Sequence, residues 1–244
     1  MGSKLLPIFY IISMVISPSK GRKFVIPDIH GCYKTFVKLL ERVKLKKEDQ
    51  LFLLGDYIDR GPNSTGVIDL IIDLIAQGYE VYPLRGNHEQ NFLSAMKQYN
   101  YIMRMFYARR LNCIDLLDRS HEIKPNYKKF MEHLPHYFEL ENYYLVHGGF
   151  DCTKKPFSNT KAMLTIRNMT YCSNIFKGKS IVFGHNPHRL DVIENAIDTN
   201  SKLIPLDNGC VYTKTKAIDN LEKMGNLLAL NLDKRSLIIQ PNID

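Results

Sequence analysis

Five groups of polar side chains in this sequence are of the types that bind metal ions, and each group follows a short apolar run. They supply carboxylate oxygen, imidazole nitrogen and amide oxygen, and a donor set of this kind without thiolate suits Mn²⁺, Fe or Zn²⁺ better than Ca²⁺ or a soft metal. Asp28 and His30 lie two positions apart, so in an extended segment both point to one side and can bind the same ion. The candidate ligands are Asp28, His30, Asp56, Asn87, His147 and His185.

Each group taken alone also has an ordinary structural explanation. An Asp-x-His pair is common on protein surfaces, Asn87 could belong to a turn, His147 could be a hydrogen-bonded core residue, and His185 could lie in a loop. All of the groups nevertheless occur in one chain at the ends of apolar runs. That coincidence favours a shared site over five unrelated features.

The runs that precede these groups alternate with helical patterns. Short β-rich segments at 22–26, 51–54 and 81–84 are separated by apolar residues at helical spacing within 36–43 and 67–75. A β-α-β-α-β order of this kind predicts a parallel sheet with right-handed crossovers. Because ligands of open α/β sheets bind beyond the carboxyl ends of the strands, the polar groups are expected to converge there.

The second half of the chain is predicted to form a second sheet. Before it, residues 91–135 are mostly helical in pattern and rich in Tyr, Met and Arg; they are either core or a cap that borders the site. Apolar runs follow at 143–146, 181–183 and 203–206, and the last segment, 226–240, is predicted to be a hairpin around Asp-Lys.

Three of the motifs resemble those of a known family. Gly-Asp-Tyr-Ile-Asp-Arg-Gly at 55–61, Gly-Asn-His-Glu at 86–89 and His-Gly-Gly at 147–149 resemble the phosphoprotein phosphatase branch of the calcineurin-like metallophosphoesterases, most closely its small bacterial and phage-type serine/threonine phosphatases. The resemblance extends from about residue 23 to the C-terminus. Pro27 departs from the pattern, since the family usually has Gly at that position.

The resemblance implies a fold and a domain organisation. It implies an α/β protein, a four-layer α/β/β/α sandwich of two mixed sheets, formed by residues 21–244, with 91–135 as a helical, cap-like segment. Residues 1–20 would be an apolar N-terminal extension of this domain.

The resemblance also implies two divalent metal ions, Mn²⁺ being expected and Fe or Zn²⁺ being alternatives. Asp28, His30 and Asp56 would bind the first ion. Asp56 would bridge to the second, whose other ligands would be Asn87, His147 and His185. A hydroxide shared by two such ions can attack phosphorus directly, without a covalent phosphoenzyme.

Catalytic and substrate-binding roles follow from the same resemblance. His88 would protonate the leaving alkoxide as a general acid, and Asp59 would orient its imidazole. Arg60 would bind phosphate oxygens through its two-pronged guanidinium. Arg167 is the candidate for a second phosphate-binding arginine, the alternative being an ordinary surface residue. Asp207 is interpreted as supporting architecture, and Cys210 as a buried thiol that is not a nucleophile.

The implied activity is hydrolysis of phosphoserine and phosphothreonine monoesters, with phosphoproteins as substrates. A dinucleoside-polyphosphate hydrolase or another small-molecule phosphatase is the nearest alternative, although such hydrolases more often have Asp and Ala where this chain has Glu89 and Gly148. Nucleases of the superfamily usually have Gly-His-x-His, whereas His188 lies one position late. An inactive anion-binding module is disfavoured because His88 and Asp59 are present.

Composition and charge set broader limits. The 244 residues are 45% hydrophobic and 24% charged, as in soluble globular proteins, and the formal net charge of +8 favours anionic partners. The basic residues are scattered, so no stable nucleic-acid partner is expected. The five cysteines are odd in number and lack C-x-x-C spacing, which predicts neither a disulfide framework nor a zinc knuckle and favours a reducing compartment.

The N-terminus leaves the compartment open. An apolar run at 5–16 is shorter than the roughly 20 residues of a membrane-spanning helix. It could be the core of a signal peptide, an anchor, a packed strand, or an extension upstream of a start near Met14. A cytoplasmic protein is expected, with export or membrane anchoring through 5–16 as the alternative.

Overall fold

The structure is a computed structural model, which describes residues 13–17, 20–212 and 224–244. Its strands form two five-stranded sheets. The first sheet has the order β10-β9-β2-β3-β4 and the second the order β1-β5-β6-β7-β8. The strands are β1 Ser13–Val15, β2 Lys23–Ile26, β3 Gln50–Leu53, β4 Glu80–Pro83, β5 Tyr137–Glu139, β6 Tyr143–Val146, β7 Ser180–Phe183, β8 Leu203–Pro205, β9 Asn226–Asn231 and β10 Ser236–Pro241.

Helices cover the outer faces of both sheets. They are α1 Tyr33–Val43, α2 Ser64–Ala76, α3 Asn87–Gln98, α4 Tyr101–Arg110, α5 Pro125–Glu132, α6 Thr160–Thr165, α7 Ser173–Phe176 and α8 Leu190–Asp198, with a 3₁₀ turn at Ile114–Leu116. α2 ends at Ala76, and Gly78, two residues later, has the left-handed φ of +84° that favours glycine.

Successive side chains along a strand point alternately to the outer core, under the helices, and to the inner core, between the sheets. Phe24 and Ile26 of β2 point into the core beneath α1 and α2, whereas Val25 points into the core between the sheets, as the two-residue period of a strand requires. Phe138 and Val182 of the second sheet meet Val25 in that inner core. The four-layer sandwich of two mixed sheets is therefore confirmed.

The prediction that the whole second half forms the second sheet is wrong for the C-terminal hairpin. β9 pairs antiparallel with β2, with Val25 opposite Leu230, and so extends the first sheet. The physical reason is that α1 packs against the hairpin in this position and covers one apolar face of β9: Leu227 and Ala229 lie in the outer core with α1, and Leu228 and Leu230 lie in the inner core. Such a strand is stable only inside a covered sheet.

The predicted helical segment 91–135 contains most of α3, all of α4 and α5, and the 3₁₀ turn. At the N-terminus, residues 13–15 form β1, which pairs in parallel with β5 at the edge of the second sheet. Residues 5–12 of the apolar run lie outside the described residues, as do the signal and anchor alternatives that depend on them. Among the helices that are described, none has both the length and the apolar character needed to cross a bilayer.

One disulfide is present, although the number and spacing of the cysteines predict no disulfide framework. Cys152 and Cys172 are bonded, with Cα atoms 6.4 Å apart, although 20 positions separate them in sequence. The chain leaves β6, passes through α6 and returns to the start of α7, and this path brings the two residues together. Cys32, Cys113 and Cys210 are buried free thiols.

Candidate dinuclear metal centre

The candidate ligands follow the carboxyl ends of strands in both sheets. In the first sheet, Asp28 follows β2, Asp56 follows β3, and Asn87 begins α3 after β4. In the second sheet, His147 follows β6 and His185 follows β7. β2, β3 and β4 are mutually parallel, as are β6 and β7, so their carboxyl ends form one edge of each sheet. The structure therefore brings the candidate ligands together in one cleft, as predicted.

The loops of the cleft have an unusual backbone. Five predicted site residues have left-handed φ values of +48° to +74°, a region that non-glycine residues seldom adopt. Such strain persists only where surrounding structure compensates for it. Part of the compensation is visible, since the backbone N–H of His30 donates to Asp56 O at 2.8 Å. The five residues are His30, Asp56, Asp59, Arg60 and His185.

Glu89 joins two of these loops. Its fully buried carboxylate accepts backbone N–H groups of Asp56 at 2.9 Å, Tyr57 at 2.8 Å, Gly86 at 3.0 Å and Ile58 at 3.3 Å. Burial, and then the charge of Asp56, raise the pKa of Glu89 to about 7. Sequence reasoning gave Glu89 no role; the only signal was its place beside His88 in the motif.

Asp56 occupies the centre of the cleft. Its Oδ2 lies 3.4 Å from His147 Nε2, 3.6 Å from His30 Nε2 and 3.7 Å from His88 Nε2. Burial alone would raise the pKa of Asp56, but the nearby histidines, His147 first, outweigh burial and lower it. Asp56 therefore belongs to two groups of donor atoms, each within 4.8 Å: one with His30 and His88, the other with His147 and His185.

The environment of His147 shows why the cleft suits cations. Burial lowers the pKa of His147, so its imidazole is neutral and carries one N–H. Nδ1 lies 2.9 Å from Leu54 O and Nε2 lies 2.9 Å from Asn87 Oδ1, so a single proton can serve only one of two acceptors. A cation between Nε2 and Asn87 Oδ1 would satisfy both lone pairs.

The other two candidate histidine ligands, His30 and His185, are also neutral. Burial lowers the pKa of His30 and of His185 to about 4 each, which keeps both imidazoles in the neutral form that ligates metals. His30 Nδ1 lies 2.9 Å from Ile58 O, which leaves Nε2 directed at Asp56. His185 Nε2 is buried and makes no hydrogen bond within the described ranges.

Asp28 lies in the cleft but outside both groups of donor atoms. Its carboxylate accepts the backbone N–H of His185 at 3.0 and 3.1 Å, and Oδ1 lies 3.9 Å from His147 Nδ1. Burial, and then the charges of Asp207 and Asp56, raise the pKa of Asp28 well above its usual range. Burial likewise raises the pKa of Asp207 to about 7. Three buried carboxylates in one cleft need positive charge to ionise together.

Two glycines allow the carboxylates to approach the backbone. A Cβ at Gly86 would lie 2.1 Å from Asp56 Oδ1, and a Cβ at Gly184 would lie 2.2 Å from Asp28 Oδ1. Pro27, the departure from the family pattern, lies beside Gly184, its Cβ 3.7 Å from that position. The proline leaves the Asp28 carboxylate inside the cleft.

His88 and Asp59 form a close pair beside Asp56. His88 Nδ1 lies 2.6 Å from Asp59 Oδ2, and His88 Nε2 lies 3.5 Å from Arg60 Nη2. Burial lowers the pKa of His88, but the hydrogen bond that His88 donates to Asp59 and the charges of Asp56 and Asp59 outweigh burial, so the pKa is raised. His88 Nε2 is within reach of a cation shared with His30 and Asp56, whereas the bond of Nδ1 to Asp59 and the raised pKa suit a proton donor.

Both predicted arginines lie at the exposed mouth of the cleft. Arg60 Nη1 donates to Tyr212 Oη at 2.7 Å. Arg167 Nη1 donates to Asn186 Oδ1 at 3.2 Å, next to His185. Tyr212 and Asn186 were missed by sequence reasoning, and no pattern in the sequence would have connected either residue to its arginine.

A cavity of about 620 Å³ adjoins Asn87 on the side of α6. The residues that line it include Gln90, Ser158, Thr160 and Lys161. The cleft therefore has room beside the candidate metal ligands for part of a substrate.

A cleft of buried carboxylates, neutral histidines and one amide, with a histidine–aspartate pair and two arginines at its mouth, defines a metal-dependent phosphoesterase. The chain belongs to the calcineurin-like phosphoesterases, since the family model "Calcineurin-like phosphoesterase" matches residues 22–227. The family uses a dinuclear metal centre, and the donor groups around Asp56 fit one.

Two curated relatives have nucleotide-hydrolase names. The chain is 25% identical over 226 residues to "Bis(5'-nucleosyl)-tetraphosphatase PrpE [asymmetrical]" of Geobacillus sp. (strain WCH70), covering 77% of this chain and 85% of that protein. It is 39% identical over 71 residues to "Bis(5'-nucleosyl)-tetraphosphatase, symmetrical" of Wigglesworthia glossinidia brevipalpis. That second match spans 29% of this chain and only 25% of the relative.

Solved structures of both functional types share the fold. A putative diadenosine tetraphosphatase aligns with a TM-score of 0.67 and 22% identity, covering 96% of this chain and all of the other. A Saccharomyces cerevisiae protein serine/threonine phosphatase, similar to human phosphatase PP5, aligns with a TM-score of 0.59 and 17% identity, covering 96% and 84%. At these identities the likeness establishes the fold alone.

Proposed function

We propose that this protein is a phosphoprotein phosphatase that hydrolyses phosphoserine and phosphothreonine monoesters. The observation that carries the proposal is the hydrogen bond between His88 Nδ1 and Asp59 Oδ2, which fixes the imidazole with Nε2 toward Asp56 and Arg60. A monoester needs a proton on its departing alkoxide, and this pair supplies one at the mouth of the cleft.

The ligand residues would hold two divalent ions: Asp28, His30 and Asp56 the first, and Asp56, Asn87, His147 and His185 the second. The mixed oxygen and nitrogen donors favour Mn²⁺, with Fe or Zn²⁺ as alternatives. Bound ions of this kind supply Lewis acidity toward phosphoryl oxygens and activate water.

The remaining steps are performed by side chains of this chain. Arg60 and Arg167, at the mouth of the cleft, bind the non-bridging oxygens of the phosphate and orient it. Asp59 accepts the Nδ1 hydrogen of His88 and thereby directs Nε2–H toward the leaving group. His88 Nε2 then gives its proton to the departing serine or threonine oxygen. Tyr212 holds Arg60 in position through the bond to Nη1.

Hydrolysis of dinucleoside polyphosphates is the second candidate function. It is favoured by the names of the relatives and by Lys161, which lines the cavity beside Asn87 and could bind a further phosphate. The same metal ligands would serve that reaction. The leaving group would be a phosphate rather than an alkoxide, so the reaction would depend less on the proton of His88.

One set of parallel assays separates the candidates. With Mn²⁺, the protein is expected to release phosphate from p-nitrophenyl phosphate and from a phosphothreonine peptide, and to cleave diadenosine tetraphosphate poorly. His88→Ala should lower the rate on the phosphopeptide by about 10²–10⁴ while metal content is retained. A preference for diadenosine tetraphosphate over the peptide would replace the proposal with the second candidate. No turnover of any phosphomonoester would refute it.

A further inference from the structure

Helix α4 exposes a surface that the proposed reaction does not use. Ten large apolar side chains are exposed in the described part of the chain, and four of them lie on this one helix. They are Tyr101, Ile102, Met103 and Phe106, which are 54%, 58%, 48% and 58% exposed. Apolar side chains concentrated in this way on a folded domain mark an interaction site more often than scattered ones do.

The opposite side of α4 already has its packing partners. Ala108 is fully buried, and the ring of Tyr107 lies 6.4 Å from Phe92 and 5.4 Å from Tyr99. Arg104 is paired with Glu122. The helix is therefore packed against the domain through its inner side, and the exposed side chains lie on its outer side.

The exposed residues follow helical spacing and change in character along the axis. Ile102, Phe106 and Arg109 are separated by four and three positions, and Met103, Phe106 and Arg110 by three and four, so they lie on one side of the helix. The N-terminal part of this face is apolar and the C-terminal part is cationic. Neither Arg109 nor Arg110 forms an ion pair or a side-chain hydrogen bond with any described residue. We call the five residues the α4 face.

The cationic end of the α4 face lies next to the reaction site. Asn112, two residues after α4, donates from Nδ2 to the backbone O of Arg60 at 3.3 Å. Arg110 and Arg109 lie two and three positions before Asn112 in sequence. They are therefore close in the chain to a residue that contacts the Arg60 loop directly. The apolar end lies about 10 Å further away, at a rise of ~1.5 Å per residue.

We propose that the α4 face binds the flank of a phosphoprotein substrate, an inference that rests on the proposed phosphatase function. The fitting flank carries acidic side chains near the phosphorylated residue and apolar side chains further along. An extended chain advances ~3.3 Å per residue, so the apolar side chains lie about three residues beyond the acidic ones. The cationic end complements acidic groups, and the three apolar side chains of the α4 face supply the contact area that a free phosphate or a nucleotide would leave uncovered.

The test compares two phosphothreonine peptides that share a core. One carries an acidic and then apolar flank, and the other carries Gly and Ser at those positions. With Mn²⁺, wild type should prefer the first peptide through a lower KM. Phe106→Ser and Arg109→Glu/Arg110→Glu should each raise that KM by about fivefold or more, the size of effect common for a central interface residue. Turnover of the second peptide and of p-nitrophenyl phosphate should not change.

Matched variants away from the site control for exposed apolar and basic residues in general. Val192→Ser removes another exposed apolar side chain, and Lys177→Glu/Lys202→Glu reverses two exposed charges near the amino ends of β7 and β8, at the other end of the second sheet. Both are expected to behave as wild type toward both peptides. Equal losses in these controls would overturn the docking surface.

Other outcomes would overturn the inference in distinguishable ways. Equal turnover of both peptides by wild type removes the docking surface but leaves the phosphatase. Hydrolysis of diadenosine tetraphosphate without hydrolysis of either peptide removes the phosphatase itself. A lower melting temperature of Phe106→Ser would assign the α4 face to packing within the chain. A wild-type dimer that the same substitution dissociates would assign it to a second copy.

Discussion

The carboxylate of Glu89 accepts the backbone N–H of Asp56 at 2.9 Å, and this bond holds the left-handed Asp56 in the loop after β3. The same carboxylate accepts three further backbone N–H groups, including that of Gly86. Glu89 thus couples the loop after β3 to the start of α3. The placement of Asp56 against Asn87 depends on this coupling.

Glu89→Gln is therefore expected to weaken metal binding as well as stability. A glutamine keeps one acceptor oxygen but turns an NH₂ group toward backbone donors, and each buried donor left unsatisfied costs about 1–3 kcal/mol. The denaturation midpoint should fall, and the Mn²⁺ concentration needed for half-maximal activity should rise. Gln90→Glu, on the next residue of α3, is the matched control. Unchanged metal affinity in Glu89→Gln would contradict the coupling.

Sequence patterns anticipated that the candidate ligands share one cleft, because each lies just after an apolar run, and the parallel order of β2, β3 and β4 follows from those runs. The sheet assignment of β9 could not be predicted, because its apolar character on both faces is compatible with the middle of either sheet. The function of Glu89 was missed for a related reason. Its partners are backbone N–H groups, which nearly every residue type has, so the sequence does not indicate them.

Contacts between distant segments were equally out of reach. Arg60 and Tyr212 are 152 positions apart, and their hydrogen bond depends on how the two sheets pack. The left-handed conformation of His30 and His185 would not be expected from their residue type. The sequence therefore predicted which residues share the cleft but not the contacts that hold them in place.

Asp59→Asn is expected to shift the pH dependence of phosphomonoester hydrolysis. The hydrogen bond and charge of Asp59 contribute to the raised pKa of His88, so an uncharged partner should lower that pKa. His88 acts in its protonated form, and activity falls as pH rises through the pKa. The fall should therefore begin at a lower pH in Asp59→Asn than in wild type. A kcat profile with the alkaline limb unmoved would show that another group controls it.

Arg60→Ala and Arg167→Ala test the two phosphate contacts separately. Each loss of a charge-assisted contact should raise KM for p-nitrophenyl phosphate and weaken inhibition by inorganic phosphate by about tenfold, equivalent to ~1.4 kcal/mol. Arg60→Lys should recover only part of the affinity, because an ammonium lacks the planar fork. Tyr212→Phe removes only the hydrogen bond to Arg60 and should have a smaller effect of the same kind. An Arg167→Ala protein with wild-type phosphate inhibition would make Arg167 an ordinary surface residue.

Removal of the disulfide should affect both stability and the site. Cys152 and Cys172 enclose the segment that carries α6 and Arg167, and closing a loop of this length stabilises a protein by about 3 kcal/mol in the chain-entropy account. Cys152→Ser/Cys172→Ser should lower the free energy of unfolding by up to that amount. KM should also rise, because α6 contacts the His-Gly-Gly loop through the bond from Gly148 N to Met163 O at 2.6 Å. Wild type treated with reductant should match the double variant.

Thiol titration of the unfolded, unreduced protein should give the three free cysteines, and a count of all five would contradict the bond.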